Sequence, residues 1–204
     1  MMPLSLLAAL VLQDPAPLRD LRAGPERRYR VRVEIEGRES FTYRLGLKIV
    51  GGKLAAKSAE PRLEIKLTDY RANVEGREAK TAKLGGGVLG LPTAGLPEGI
   101  DISGPQGPFW LPLLSLYLPD GPEDGDSPIV KNVIGPNLRL EGKATFARKD
   151  GKGSVALDAS IFREGRPLGK FATTTSLDRD GWPRKAEGTL VSADGTYRFT
   201  LERG

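Results

Sequence analysis

No cysteine and no histidine occur in the 204 residues of this chain. Without cysteine there is no disulfide framework, no thiolate nucleophile and no sulfur-ligated metal. Without histidine, the side chain best suited to proton transfer near neutral pH is missing, and so is the commonest zinc ligand. Other catalytic signatures are missing as well. There is no G-x-S-x-G, no S-x-x-K, no Walker sequence and no G-x-G-x-x-G following a strand. "GGGVLG", residues 85 to 90, lacks the lysine and the strand-to-helix setting of a phosphate cradle and reads as loop. A non-enzymatic protein with no cofactor and no metal is therefore expected.

Long apolar runs are scarce. One lies at the start, where Leu4 to Leu12 has the length of a secretory h-region and is far too short to span a bilayer. Residues 1–13 are read as a signal peptide, which puts the mature chain outside the cytoplasm, periplasmic or secreted, with no transmembrane segment. With 39% hydrophobic and 28% charged residues, the remainder is apolar enough to bury one core. A single β-rich domain over residues 28–204 is expected.

Basic residues nearly vanish from the middle of the chain. Residues 84–136 hold one Lys or Arg against six Asp or Glu, in a protein whose net charge is +5, and carry nine of the 16 prolines. That composition argues against regular sheet or a long helix, so 84–136 is read as a Gly/Pro-rich acidic insert between two sheet-forming halves.

The halves show apolar residues at every second position, the period of a strand with one buried face. In the first half the inward set is Tyr29, Val31, Val33 and Ile35, answered by Phe41, Tyr43, Leu45, Leu47 and Ile49, with Leu63, Ile65 and Leu67 on a third strand. Opposed residues in a hairpin share a constant index sum. A sum of 76 pairs Ile35 with Phe41 and leaves Gly37 to Glu39 as the loop. In the second half Asp150-Gly151 signals a turn with a sum of 301, and Asp194-Gly195 one with a sum of 389, which sets Leu190 against Phe199 and Gly188 against Leu201. Residues 137–203 then form a five-stranded antiparallel meander.

The inner face of that meander is short of large side chains. Gly142, Ala144, Ala159, Thr173, Thr175, Ala186 and Gly188 fall where Val, Ile or Phe would ordinarily fill a core. The hollow they leave has to be filled, because interiors pack to crystal-like density. The run "FWLPLLSLYL", Phe109 to Leu118, is the candidate filler, as a short helix or extended plug. It is either the missing part of the core or a lid over an apolar cavity. In the second case the ligand-binding residues would be Trp110, Leu114, Tyr117, Ala144, Ala159, Thr173 and Thr175.

Two surface features remain. The sum of 76 opposes Arg32 to Arg44 and Arg28 to Lys48 with Arg30 between, a like-charge arrangement that suggests an anionic surface as partner. Nucleic acid is not expected, because no aromatic stacking positions interleave with these residues. The acidic loop Asp120, Glu123, Asp124 and Asp126 lacks the fixed ligand spacing of a calcium loop, and "DRDG" at 178 to 181 reads as a turn.

The segments "LPLLSLYLPDG", "EDGDSP" and "DRDGWP…EGTLVSADGTYRFTLER" resemble the insert and closing strands of a group of exported bacterial β-rich proteins that form a domain of unknown function. The architecture is also similar to the curved half-barrels of periplasmic lipoprotein carriers. That resemblance implies acyl chains held on a concave sheet beneath a lid, and no carrier residue transfers to a position here. The expected fold is therefore all-β or β-rich, a curved antiparallel sheet or half-barrel. The expected role is an exported binding or carrier module for a lipid or other amphiphile, with a self-filled structural or interaction domain as the alternative.

Overall fold

A computed structural model describes residues 19–36, 39–51, 61–74, 77–103, 106–119, 124–149 and 152–204. The proposed signal peptide and the acids Asp120 and Glu123 lie outside these residues. Among these residues ten strands form one antiparallel sheet: β1 (Arg27–Ile35), β2 (Glu39–Val50), β3 (Arg62–Val74), β4 (Arg77–Gly90), β5 (Gly125–Gly135), β6 (Leu138–Lys149), β7 (Lys152–Arg163), β8 (Arg166–Leu177), β9 (Pro183–Ser192) and β10 (Gly195–Arg203). Their order is β4-β3-β2-β1-β10-β9-β8-β7-β6-β5. The first and last strands therefore meet in the centre, and β4 and β5 are the two edges. The sheet does not close, so the fold is a curved, half-barrel-like β-structure.

Period-2 patterning produces this arrangement directly. Along β8, Phe171, Thr173, Thr175 and Leu177 are buried while Ala172, Thr174 and Ser176 face solvent. Along β1, Tyr29, Val31 and Val33 are buried between exposed arginines. The five-stranded meander from β6 to β10 is as expected, and β6 pairs β7 with the index sum 301: Phe146 faces Val155 and Leu140 faces Ile161.

Two other registers differ from expectation by two residues each. β1 and β2 pair with a sum of 74, so Val33 faces Phe41 and Ile35 faces Glu39. A shift of two keeps every side chain on its face, which is why alternation alone does not choose between the two registers. Charge explains the outcome. The expected register opposed two like-charged pairs, whereas the observed one opposes only Arg30 to Arg44 and sets Arg28 against Gly46. Arg44 is then answered by Asp69 on β3 at 3.0 Å. In the last hairpin the sum is 387 rather than 389, with Ala193 and Asp194 in the turn and Gly195, at φ +132°, opening β10. Gly188 consequently faces Phe199, and Ala186 faces Leu201.

The insert contains more sheet than its composition suggested. β4 runs on to Gly90 and β5 begins at Gly125, so the glycine run at 85 to 90 is strand and not loop. A Cβ on Gly86 would lie 2.0 Å from the carbonyl oxygen of Ile65 on β3. Glycine is what lets β4 approach β3 this closely, beside the register shift at Leu67 and Thr68. Among the described residues no helix is long and apolar enough to cross a membrane.

Candidate functional site

The apolar run beginning at Phe109 forms a four-residue helix, α1 (Gly107–Trp110), continued by a 3₁₀ helix (Leu111–Leu116). Pro108 and Pro112 sit in the first turns of these two helices, where a missing N–H costs nothing. Residues 111–119 are all buried. The 3₁₀ helix packs on β8, β9 and β10, the small-residue region of the meander. Thr175 Oγ1 donates to the Ser115 carbonyl at 3.4 Å across this contact. Ala144, Ala159, Thr173, Thr175 and Ala186 are buried, Gly188 is half-buried and Gly142 is exposed, although a Cβ on Gly142 would lie 2.3 Å from the Asp158 carbonyl oxygen.

Two details depart from a simple plug. Part of the hollow is filled by the meander itself. The Phe199 ring lies over Gly188 and stacks on Phe171 with centroids 6.2 Å apart and planes 9° from parallel. The start of the plug, moreover, serves the other half of the sheet. Phe109 packs among Phe41, Tyr43 and Tyr70, at centroid distances of 4.7, 5.8 and 5.5 Å, and its carbonyl accepts the Tyr43 hydroxyl at 2.7 Å. Burial pushes the Tyr43 hydroxyl pKa up, so it stays a donor. Trp110 is half-buried with its ring edge over Gly87 on β4. The plug ties both halves together rather than capping one.

Beside the start of the plug an open cleft of about 250 Å³ remains. Its apolar wall comes from Leu111, Leu138, Ile161, Leu168, Leu190 and Tyr197. Its rim carries Ser103, Arg163, Ser192 and Asp194. None of the seven residues expected to bind ligand lines this cleft. Leu114, Tyr117, Ala144 and Ala159 are packed in the core. Thr173 donates to the Glu187 carbonyl at 2.7 Å, and Thr175 is spent on Ser115. The cleft lies where the β7/β8 and β9/β10 turns outrun the plug. Its sequence signal was the set of inward-phase residues nearest those turns, Ile161, Gly169, Leu190 and Tyr197, which the ten-residue run is too short to cover.

Three of the five residues of the basic face pair with carboxylates. Arg28 pairs with Glu26 at 2.9 Å, Arg32 with Glu34 at 2.8 Å and Arg44 with Asp69 at 3.0 Å. Arg30 stands opposite Glu202 on β10, and Lys48 opposite Glu64 on β3. The acidic turn is used structurally. Asp126 accepts from Lys143 at 2.8 Å and Thr145 at 2.6 Å, and Asp124 accepts the Arg148 amide at 2.8 Å, so both carboxylates hold β5 to β6. Asp178 closes its turn by accepting the amides of Asp180 and Trp182, each at 2.9 Å.

At the far end of the plug, Trp182 is wholly buried, a core role that the sequence reading did not give it. Its indole N–H donates to the Asp20 carbonyl at 3.2 Å, and the guanidinium carbons of Arg27 and Arg19 stand 4.4 and 5.5 Å from its ring centroid. Arg19, also buried, donates to the carbonyls of Pro92 and Leu116.

No family model and no curated protein matches this chain. Among solved structures, a LolA superfamily protein from Nitrosomonas europaea is matched over 93% of this chain and 88% of its own, with 8% identity and a TM-score of 0.29.

Proposed function

We propose that the protein is a non-enzymatic binding or carrier module, exported by its apolar leader, that takes the apolar end of an amphiphilic ligand into the cleft between α1 and the inner face of β6 to β10. The observation that supports this reading is the cleft itself, with its aliphatic and aromatic wall and its polar rim at the mouth. Small-molecule sites are concave and mostly apolar, with few orienting polar groups. At about 250 Å³ the space is below the ~300–1,000 Å³ of a whole-ligand pocket. It suits an alkyl end or a single ring, with the head outside near Arg163 and Asp194.

Displacement of an apolar fluorescent dye by a series of n-alkyl carboxylates tests the proposal. Each methylene buried contributes about 0.8 kcal/mol, so affinity should rise roughly fourfold per added carbon and then level off when the cleft is full. No displacement at any length, together with no lipid in the purified protein, would leave a self-filled structural domain as the better reading. The buried run 111–119 supports that alternative.

A further inference from the structure

Four buried side-chain polar atoms among the described residues have no hydrogen-bond partner, and they are not scattered. They are Arg19 Nε, Arg27 Nε, Arg27 Nη1 and the Tyr29 hydroxyl. Both guanidinium groups stand over the Trp182 ring, and Tyr29 lies within electrostatic reach of both. The carboxylates near by are already committed. Asp20 is held by Arg22, with contacts of 2.7 to 3.0 Å, and Asp178 by Arg203 and two turn amides. Two cations therefore sit at one end of the half-barrel with no carboxylate of their own. A buried charge without a counter-charge is costly, and buried polar groups are almost always satisfied.

The chemistry of the unmet atoms defines what would satisfy them. Three are N–H groups that only donate, and the fourth is a phenol that burial keeps protonated. A group that offers only acceptors and carries negative charge suits the chemistry of each of them. We propose that Arg19, Arg27 and Tyr29, backed by Trp182, form a binding site for a small anionic oxygen group of the phosphate, sulfate or carboxylate class. The site is distinct from the cleft. The plug runs along β9 between them, with Leu111 at the cleft and the Leu116 carbonyl on Arg19. The segment from Arg19 to Glu26 covers it and is fastened by the Asp20 amide on the Asp180 carbonyl at 2.9 Å and by the Asp20 carbonyl on Trp182.

Trp182 reports on this site once Trp110 is changed to Phe, since the chain has two tryptophans. Emission and Tm of Trp110→Phe are titrated with sodium phosphate, with sodium chloride at equal ionic strength, and with phosphatidylglycerol vesicles. The expected result is a saturable emission shift and Tm rise with phosphate beyond that with chloride, weakened at least tenfold by Arg27→Gln. A response to the vesicles without one to free phosphate keeps the site and names a lipid headgroup as the source of the group. Tyr29→Phe separates binding from folding: it should match or exceed the parent Tm in phosphate-free buffer yet lose most of the phosphate response. Equal responses to phosphate and chloride with none to vesicles would overturn the proposal and leave simple screening. A phosphate response unchanged in Tyr29→Phe and Arg27→Gln would overturn it equally.

Discussion

Replacing Gly188 with alanine tests how the small-residue face is filled. A Cβ at this position would lie 2.3 and 2.5 Å from two carbons of the Phe199 ring and 3.1 Å from the Thr173 Cβ. The ring has nowhere to go, because Phe199 is 2% exposed and stacked on Phe171. Overpacking of this kind costs about 1–3 kcal/mol, while the loss of glycine's freedom in the unfolded chain returns roughly 0.4–1 kcal/mol. The net expectation is a destabilisation of about 1–2 kcal/mol, or roughly 2–8 °C in Tm. Urea unfolding of Gly188→Ala, Phe199→Leu and the double variant gives the coupling directly. With the ring shortened, the alanine should cost less than about 0.5 kcal/mol, so the two changes couple by about 1 kcal/mol. Additive effects would refute the contact, and with it the register that sets Gly188 opposite Phe199. Coupling to Leu201 instead would restore the register in which Gly188 faces that residue.

Three further outcomes follow from the same packing. Leu114→Ala should cost about 2–5 kcal/mol in chemical denaturation, since this side chain is wholly buried in the plug, while Trp110→Ala at its half-buried margin should cost distinctly less; equal losses would contradict the placement of the run. The hydrogen bond from Arg22 holds the Asp20 carboxyl at about 2, below its ordinary 3.8, so its contribution is complete above pH 4 and lost as pH falls through 2. Trp182 emission should shift to the red across that window in the parent and already at neutral pH in Asp20→Asn, and an acid transition unchanged by the substitution would contradict this. Leu190→Trp, which adds volume at the cleft, should abolish displacement of an apolar dye while leaving Tm within a few degrees, and retained binding would place the dye elsewhere.

How much was legible in the sequence follows from what each pattern constrains. Alternation fixed which residues face inward, and Phe171 to Leu177 or Tyr29 to Val33 needed nothing more. Register is a finer quantity. Shifts of two residues leave alternation untouched, so the β1/β2 pairing turned on which charges come opposite one another and the β9/β10 pairing on Phe199 covering Gly188. Glycine was misread at 85 to 90 because its composition cue, a flexible loop, has the same appearance as a strand pressed against its neighbour. The shortage of large side chains on the meander pointed to a filler; the run from Phe109 supplies it over β8, β9 and β10, while Phe199 of the meander covers Gly188. The cleft was not visible, because it depends on where the plug stops. The Trp182 cluster escaped for a similar reason: Arg19 and Arg27 read as ordinary surface charges until the fold placed them over an indole ring.

Photolabelling most directly tests the claim that an apolar ligand end enters beside the plug. The protein is irradiated with a fatty acid carrying a diazirine near its methyl end, and the modified residues are mapped by mass spectrometry. Adducts are expected at Leu111, Ile161, Leu190 and Tyr197, lost in the presence of excess unlabelled fatty acid. Adducts spread over the solvent-facing side of the sheet, or label that unlabelled fatty acid does not displace, would contradict it.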